Sequence, residues 1–188
     1  PIELEISPDA SSAAVWRVAQ YLGHPLQIAS RIPTDSFQPD TGIDAFLRQI
    51  DEAGPDTAID LTDAPDLLPV LTIAAIYKAV PVRFTGIERL KHKESNRIDG
   101  FLASLDEIGI HMLRHDDGFS TPAKVAISKI SKRTFKTHGD HRLAMTGALL
   151  SVLLGPLLID TPWCVTKSYP RFWTDAREAG WSMKPCKD

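Results

Sequence analysis

Apolar residues fall along this chain in three long blocks, each preceded by an acid. Asp9-Ala-Ser-Ser-Ala leads into residues 13–22 and stops at Gly23, Pro65-Asp66 precedes residues 67–79, and Gly139-Asp140-His141-Arg142 precedes residues 143–154 before Gly155. Acids and hydroxyls in such places accept from the N–H groups that a first helical turn leaves without partners, and a glycine lets the chain reverse at the end. Three mostly apolar helices are therefore predicted. After each comes a β-type stretch, residues 26–32, 82–87 and 157–159, then a polar turn and a second helix closing on Glu-x-Gly, over residues 42–53, 97–108 and 170–179.

The blocks repeat in detail. Asp44-Ala-Phe-Leu-Arg-Gln-Ile-Asp-Glu-Ala-Gly54 and Asp99-Gly-Phe-Leu-Ala-Ser-Leu-Asp-Glu-Ile-Gly109 share Asp, Phe-Leu, Asp-Glu and the closing Gly in register. The step from the first acid to the start of the second helix is steady, from 9 to 40, 66 to 96 and 140 to 171, separations of 31, 30 and 31 residues. Such regularity marks an internal repeat of a strand–helix–strand–helix unit. Three such units are too few and too long for a solenoid. They predict one closed α/β domain over residues 1–188 with pseudo-threefold symmetry, its units at about residues 1–60, 61–130 and 131–188. The first helices would be buried all round, while the second would carry one apolar stripe, as Phe101, Leu102, Leu105 and Ile108 do. Residues 111–130 carry short β runs such as 124–127, consistent with a hairpin.

Composition narrows the class. The 188 residues are 43% hydrophobic, 24% charged and 7% aromatic, enough to bury one sizeable core. Charge is mixed along the chain, 21 Lys and Arg against 24 Asp and Glu for a net −3, so no long basic tract exists for nucleic acid or an anionic membrane face. The longest apolar run, residues 143–158, is broken by Thr146, Gly147, Ser151, Gly155 and Pro156 and falls short of the roughly 20 residues that span a bilayer. Cys164 and Cys186 make neither a disulfide framework nor a C-x-x-C metal pair and read as reduced thiols, as in the cytoplasm. No targeting segment is expected. The first residue, Pro1, is what a segment of a longer protein or a processed start would show.

The unusual polar groups gather at predicted helix starts: Asp9, Ser11, Asp40, Asp66, Lys93, Glu94, Arg97, Asp140, His141, Arg142 and Lys167. If the repeated helices run parallel about a threefold axis, their N-termini meet at one end, where free N–H groups and helix dipoles favour anions. Arg97 and Arg142 add planar forks for carboxylates, and Lys93 and Lys167 add mobile charges for phosphates. The plainer alternatives are that Asp9 and Asp66 are only caps and that Lys93, Glu94 and Arg97 form an exposed ion-paired turn. His138-x-x-His141 brackets Asp140, but two histidines with no third ligand nearby read as a solvated or anion-binding turn, and neither metal nor cofactor is expected.

Three ordered motifs carry a resemblance. Lys93-Glu94-Ser95-Asn96-Arg97, Asp140-His141-Arg142-Leu143-Ala144-Met145 and Cys164-Val165-Thr166-Lys167-Ser168-Tyr169-Pro170 resemble segments of the 5-enolpyruvylshikimate-3-phosphate synthase family of enolpyruvyl transferases, with Asp9-Ala-Ser-Ser-Ala and Pro65-Asp66 in the expected places. The likeness covers essentially the whole chain and points to the C-terminal of two domains, each an inside-out α/β barrel of three βαβαββ units. It implies enolpyruvyl transfer from phosphoenolpyruvate to shikimate-3-phosphate in the shikimate pathway of aromatic amino-acid biosynthesis, with the N-terminal domain of the same enzyme as partner. It further implies Asp66 and Lys93 on the shikimate phosphate hydroxyls and Glu94 near the transferring carbon. Arg97 and Arg142 would meet the phosphoenolpyruvate carboxylate, Lys167 its phosphate, and His141 would sit beside them. Asp66 and Glu94 are the carboxylates expected to move protons.

Departures are Asn96 where the family usually has Asp, Pro8-Asp9 and Pro39-Asp40 in place of Gly-Asp pairs, and Arg89 where an Asn often meets the shikimate ring. The Lys-Ser, Arg and Ser-Ser-Gln groups of the N-terminal domain have no counterpart here, so the resemblance implies half an active site, inactive alone. Competing readings are a transferase acting on UDP-N-acetylglucosamine, which lacks the Lys-Glu-Ser-x-Arg and Asp-His-Arg pairing, and a non-catalytic half that binds phosphorylated ligands. A nucleic-acid end-processing enzyme built from similar units is disfavoured by the net charge.

Overall fold

A computed structural model describes residues 8–26, 37–93, 95–125 and 134–184. Six α-helices dominate the described residues: α1 (Ala10–Tyr21), α2 (Ile43–Asp51), α3 (Leu68–Lys78), α4 (Arg97–Glu107), α5 (His141–Leu154) and α6 (Phe172–Glu178). The predicted helices are present to within a few residues. Helices α1, α3 and α5 each pack on the other two, as a threefold arrangement requires. Their sequences explain the placement. Every residue of α3 from Leu68 to Ile76 is buried, and α5 is buried from Leu143 to Leu150, so neither has a polar face to turn to water. By contrast, α2 buries Ile43, Leu47 and Ile50 at helical spacing and exposes the rest of its surface, the mark of an outer helix.

Strands are short. β1 (Ala58–Asp60) and β2 (Arg83–Thr85) are parallel, with Ile59 opposite Phe84, and α3 is the crossover between them. β5 (Thr134–Phe135) and β6 (Leu158–Ile159) repeat the arrangement around α5. The β-type stretch of the first unit, residues 26–32, lies outside the described residues except for Leu26. β3 (Leu113–His115) and β4 (Gly118–Ser120) form a hairpin that extends the first sheet in the order β1-β2-β4-β3. A hairpin was expected within residues 111–130, and these are the strands of the one described there. Lys124 and Val125 carry no strand, and residues 126 and 127 lie outside the described set. The Asp116-Asp117 turn makes the tighter reversal, and Asp117 is tied back to Arg83 of β2 at 2.7 Å. Gly118 is required there, because a Cβ would lie 1.8 Å from the Phe84 carbonyl oxygen.

Candidate active site

The starts of α1, α3 and α5 line one small pocket through Ser11, Asp66, Pro69 and Arg142, so the three helix N-termini converge. Each start is built differently. Asp9 caps α1, accepting from Ser11 N at 3.0 Å and from Ser12 Oγ at 2.6 Å, and stays exposed; here the plainer reading of the sequence holds. Asp140 caps α5, accepting from Arg142 N at 2.9 Å, after a tight turn in which His138 and Gly139 have φ of 53° and 71°. Asp66 makes no cap hydrogen bond. It sits in a 3-10 turn, Pro65–Leu67, and its carboxylate faces cations.

Those cations come from two other segments. Arg97, the first residue of α4, donates from NH1 to Asp66; Arg142 NH2 lies 3.3 Å from Asp66 Oδ2, and Lys93 Nζ lies 3.4 Å from the same oxygen. Burial alone would push the Asp66 carboxyl up, but the charges of Arg142, Arg97 and Lys93 outweigh it and hold the group below the ordinary carboxylate range. Arg97 is only 1% exposed and Asp140 0%, and the two form a fork, Nε to Oδ2 at 2.7 Å and NH2 to Oδ1 at 3.2 Å. Among the described residues of this cluster, two carboxylates thus stand against three cations.

Beside this cluster opens a cleft of about 380 Å³ whose walls include Ser11, Asp40, Asp66, Arg89 and Lys93. Asp40, 6% exposed, accepts from Ser11 Oγ. Burial pushes its carboxyl up, and the Ser11 hydrogen bond and the Arg142 charge offset this only in part. Two carboxylates on one cleft are therefore moved in opposite directions.

Of the residues singled out from sequence, Asp66, Lys93, Arg97 and Arg142 meet. His141 opens α5 and is buried next to Arg142 in the chain. Lys167 is the exposed end of a 3-10 turn, Pro162–Lys167, that packs against α5 and buries Val165. Glu94 lies outside the described residues, as does Cys186. His138 turns away from His141 to Ser104 Oγ of α4, 3.2 Å from its Nε2, with its ring against Gly100. Among the described residues no group of three His, Cys, Asp or Glu side chains is arranged to hold a metal, and no helix is long and apolar enough to cross a membrane. Asp140 and Asp40 gained importance only in three dimensions, since a cap signal announces a helix and not the arginine 43 positions away.

Helix N-termini, two arginines and a lysine are thus gathered over acids at one end of the fold. A profile of the EPSP synthase (3-phosphoshikimate 1-carboxyvinyltransferase) family matches residues 1–175, and the chain belongs to that family. It is 32% identical over 186 residues to a 3-phosphoshikimate 1-carboxyvinyltransferase of Pseudomonas syringae pv. tomato, covering 97% of this chain and 44% of the relative. With the enzyme of that name from Bacteroides fragilis it is 33% identical over 125 residues, 66% of this chain and 30% of the relative. An EPSP synthase structure from Acinetobacter baumannii superposes with a TM-score of 0.76 at 22% identity, over 98% of this chain and 48% of that one. The mixed α/β fold is that of these structures. The chain spans about half the length of the relatives it matches.

Proposed function

We propose that this chain supplies half of the active site of an enzyme that transfers the enolpyruvyl group of phosphoenolpyruvate to the 5-hydroxyl of shikimate-3-phosphate with release of phosphate. The other half would come from an N-terminal domain of the same enzyme closing over the cleft. The observation that carries the reading is the convergence of Lys93, Arg97 and Arg142 on the single carboxylate of Asp66. Membership of the family supports the choice of substrates.

In the reaction the ring hydroxyl adds to C2 of phosphoenolpyruvate while the methylene carbon takes a proton. Loss of phosphate from the resulting ketal, with return of a proton from the methyl carbon, leaves the enol ether. Asp66 and Glu94 are assigned to the proton transfers, Arg97 and Arg142 to the incoming carboxylate, Lys167 to the departing phosphate and Lys93 to the shikimate side, with His141 beside them. Asp66 pairs with the same two guanidinium groups to which the phosphoenolpyruvate carboxylate is assigned. When phosphoenolpyruvate takes over the two arginines, Asp66 loses the charges that hold its proton affinity down and becomes a better base at the moment one is needed. The cations also offset the charge that develops on the leaving phosphate.

Phosphate release by the complete protein, measured with each substrate omitted in turn, tests the proposal. Release must require both phosphoenolpyruvate and shikimate-3-phosphate; turnover with UDP-N-acetylglucosamine in place of the latter, or none with either, sinks it.

A further inference from the structure

Asp140 is the most enclosed charged group of the site, and it does two things at once. Its Oδ1 accepts from Arg142 N at 2.9 Å, which closes the first turn of α5, and from Arg97 NH2 at 3.2 Å. Its Oδ2 accepts from Arg97 Nε at 2.7 Å, with Ser95 Oγ at 3.4 Å. A side-on fork of this kind fixes the plane of a guanidinium group, where a single contact would leave it to rotate. With Nε and NH2 both taken by one carboxylate, the NH1 corner of Arg97 is aimed at Asp66 and so at the position shared with Arg142 and Lys93. Because the same oxygen that holds Arg97 also receives the backbone of Arg142, the two arginines are registered to each other through one side chain.

We infer that Asp140 is a positioning residue of the anion site: a carboxylate that touches no substrate but sets the mutual orientation of Arg97 and Arg142, so that both reach the same ligand carboxylate. The inference rests on the proposed role of those arginines. Its chemistry makes an unusual demand. An acid beside an anion site repels the anion, so removing the Asp140 charge should by Coulomb attraction alone tighten binding. If orientation is what Asp140 supplies, binding must weaken instead. The sign of the effect separates the two roles, and a merely structural role would lower the folded fraction without changing the affinity of what remains folded.

The test is Asp140→Asn in the complete protein, since Asn still caps a helix but no longer ion-pairs with Arg97. Dissociation constants for phosphoenolpyruvate and for inorganic phosphate are measured by calorimetry, alongside KM for each substrate. The expected result is phosphoenolpyruvate binding weaker by about tenfold or more, the loss of an oriented charge-assisted contact, with the KM for shikimate-3-phosphate within about threefold. Combined with Arg97→Lys, the second substitution should add little, because both act through one group. Unchanged or tighter phosphoenolpyruvate binding, or equal losses for both substrates, overturns the inference. Where Asp140→Asn does not accumulate folded, Asp140→Ser keeps a cap, leaves room for water beside Arg97, and carries the same expectation. A wild-type protein that binds phosphoenolpyruvate without turnover refutes the proposed function and leaves the binding comparison intact; one that binds neither probe refutes both.

Discussion

The first and third helix starts follow one recipe and do different work. Asp9 and Asp140 each accept from the backbone N–H two residues on, at 3.0 and 2.9 Å. Asp9 stands in solvent with Ser11 and Ser12 around it, whereas Asp140 is 0% exposed and forked to Arg97. A repeat therefore fixes where backbone groups lie, while a few substitutions at equivalent places decide whether a helix start is merely closed or becomes part of a charged site.

The widest gap expected between the two is in stability. Replacing Asp140 by Ala removes a cap and takes the forked carboxylate partner from the buried Arg97, a loss of about 3 kcal/mol or more. Asp9→Ala removes only an exposed cap and should cost about 1 kcal/mol. Urea unfolding of the two variants reads the difference; equal losses would mean that burial of the Asp140–Arg97 pair contributes nothing beyond capping.

How much of this was legible beforehand follows from the same pair. Caps, apolar blocks and closing glycines are local signals, so the six described helices could be placed to within a few residues, and the repeat pointed to the convergence of the α1, α3 and α5 starts. The strands were less legible because they are two or three residues long, too short for an alternating pattern to appear, and the hairpin at β3 and β4 was decided by the Asp116-Asp117 turn and pairing with β2. In the site, the sequence placed Asp66, Lys93, Arg97 and Arg142 together but gave Asp66 and Asp140 the same kind of start. Asp140 stands at the N-cap of α5, whereas Asp66 lies inside a 3-10 turn whose N-cap is Ala64, and the approach of Arg97 to both acids is tertiary, which no spacing within either motif records.

Cations can be compared in the same way. Arg97 is enclosed, whereas Lys167 is exposed at the end of its turn. On the proposed assignment, Lys167→Ala in the complete protein should leave thermal unfolding nearly unchanged and weaken phosphoenolpyruvate by about 1.5 to 3 kcal/mol, the worth of one charged hydrogen bond, with shikimate-3-phosphate little affected. Equal losses for both substrates would move Lys167 out of the phosphate position.

The two cleft carboxylates give a sharper contrast, because they respond to pH with opposite sign. Asp66 has a lowered pKa in the folded protein, so its contribution is fully present above the ordinary carboxylate value and is lost as pH falls through the folded value. Asp40 has a raised pKa, so its ionised form is disfavoured on folding at neutral pH, and that penalty is relieved as pH falls through the raised value toward the ordinary one. Asp66→Asn should thus destabilise at neutral pH with a deficit that shrinks in acid. Asp40→Asn, whose amide oxygen can still accept from Ser11, should stabilise at neutral pH with an advantage that shrinks in acid. Melting temperatures of both variants between neutrality and the carboxylate range test the signs, and parallel pH profiles would refute the opposed environments.

The smallest effect concerns Asn96, where the family usually has an acid. Asn96 caps α4 by accepting from Asp99 N at 3.2 Å, and its Nδ2 donates to Asp99 Oδ2 at 2.6 Å. An aspartate could make the first bond and not the second, and would set a like charge against Asp99, which Arg114 already holds at 2.8 Å. Against that stands the helix N-terminus, which favours an added negative charge by about 0.3 to 1 kcal/mol. The opposing contributions are of similar size, so Asn96→Asp should change stability by no more than about 1 kcal/mol. Asn96→Ala, which loses the cap outright, should cost about 1 kcal/mol. Salt decides the sign of the first: screening weakens repulsion between exposed charges, so Asn96→Asp should gain relative to the parent as ionic strength rises if Asp99 is what Asn96 serves. A loss with added salt would show that the helix dipole outweighs the repulsion from Asp99.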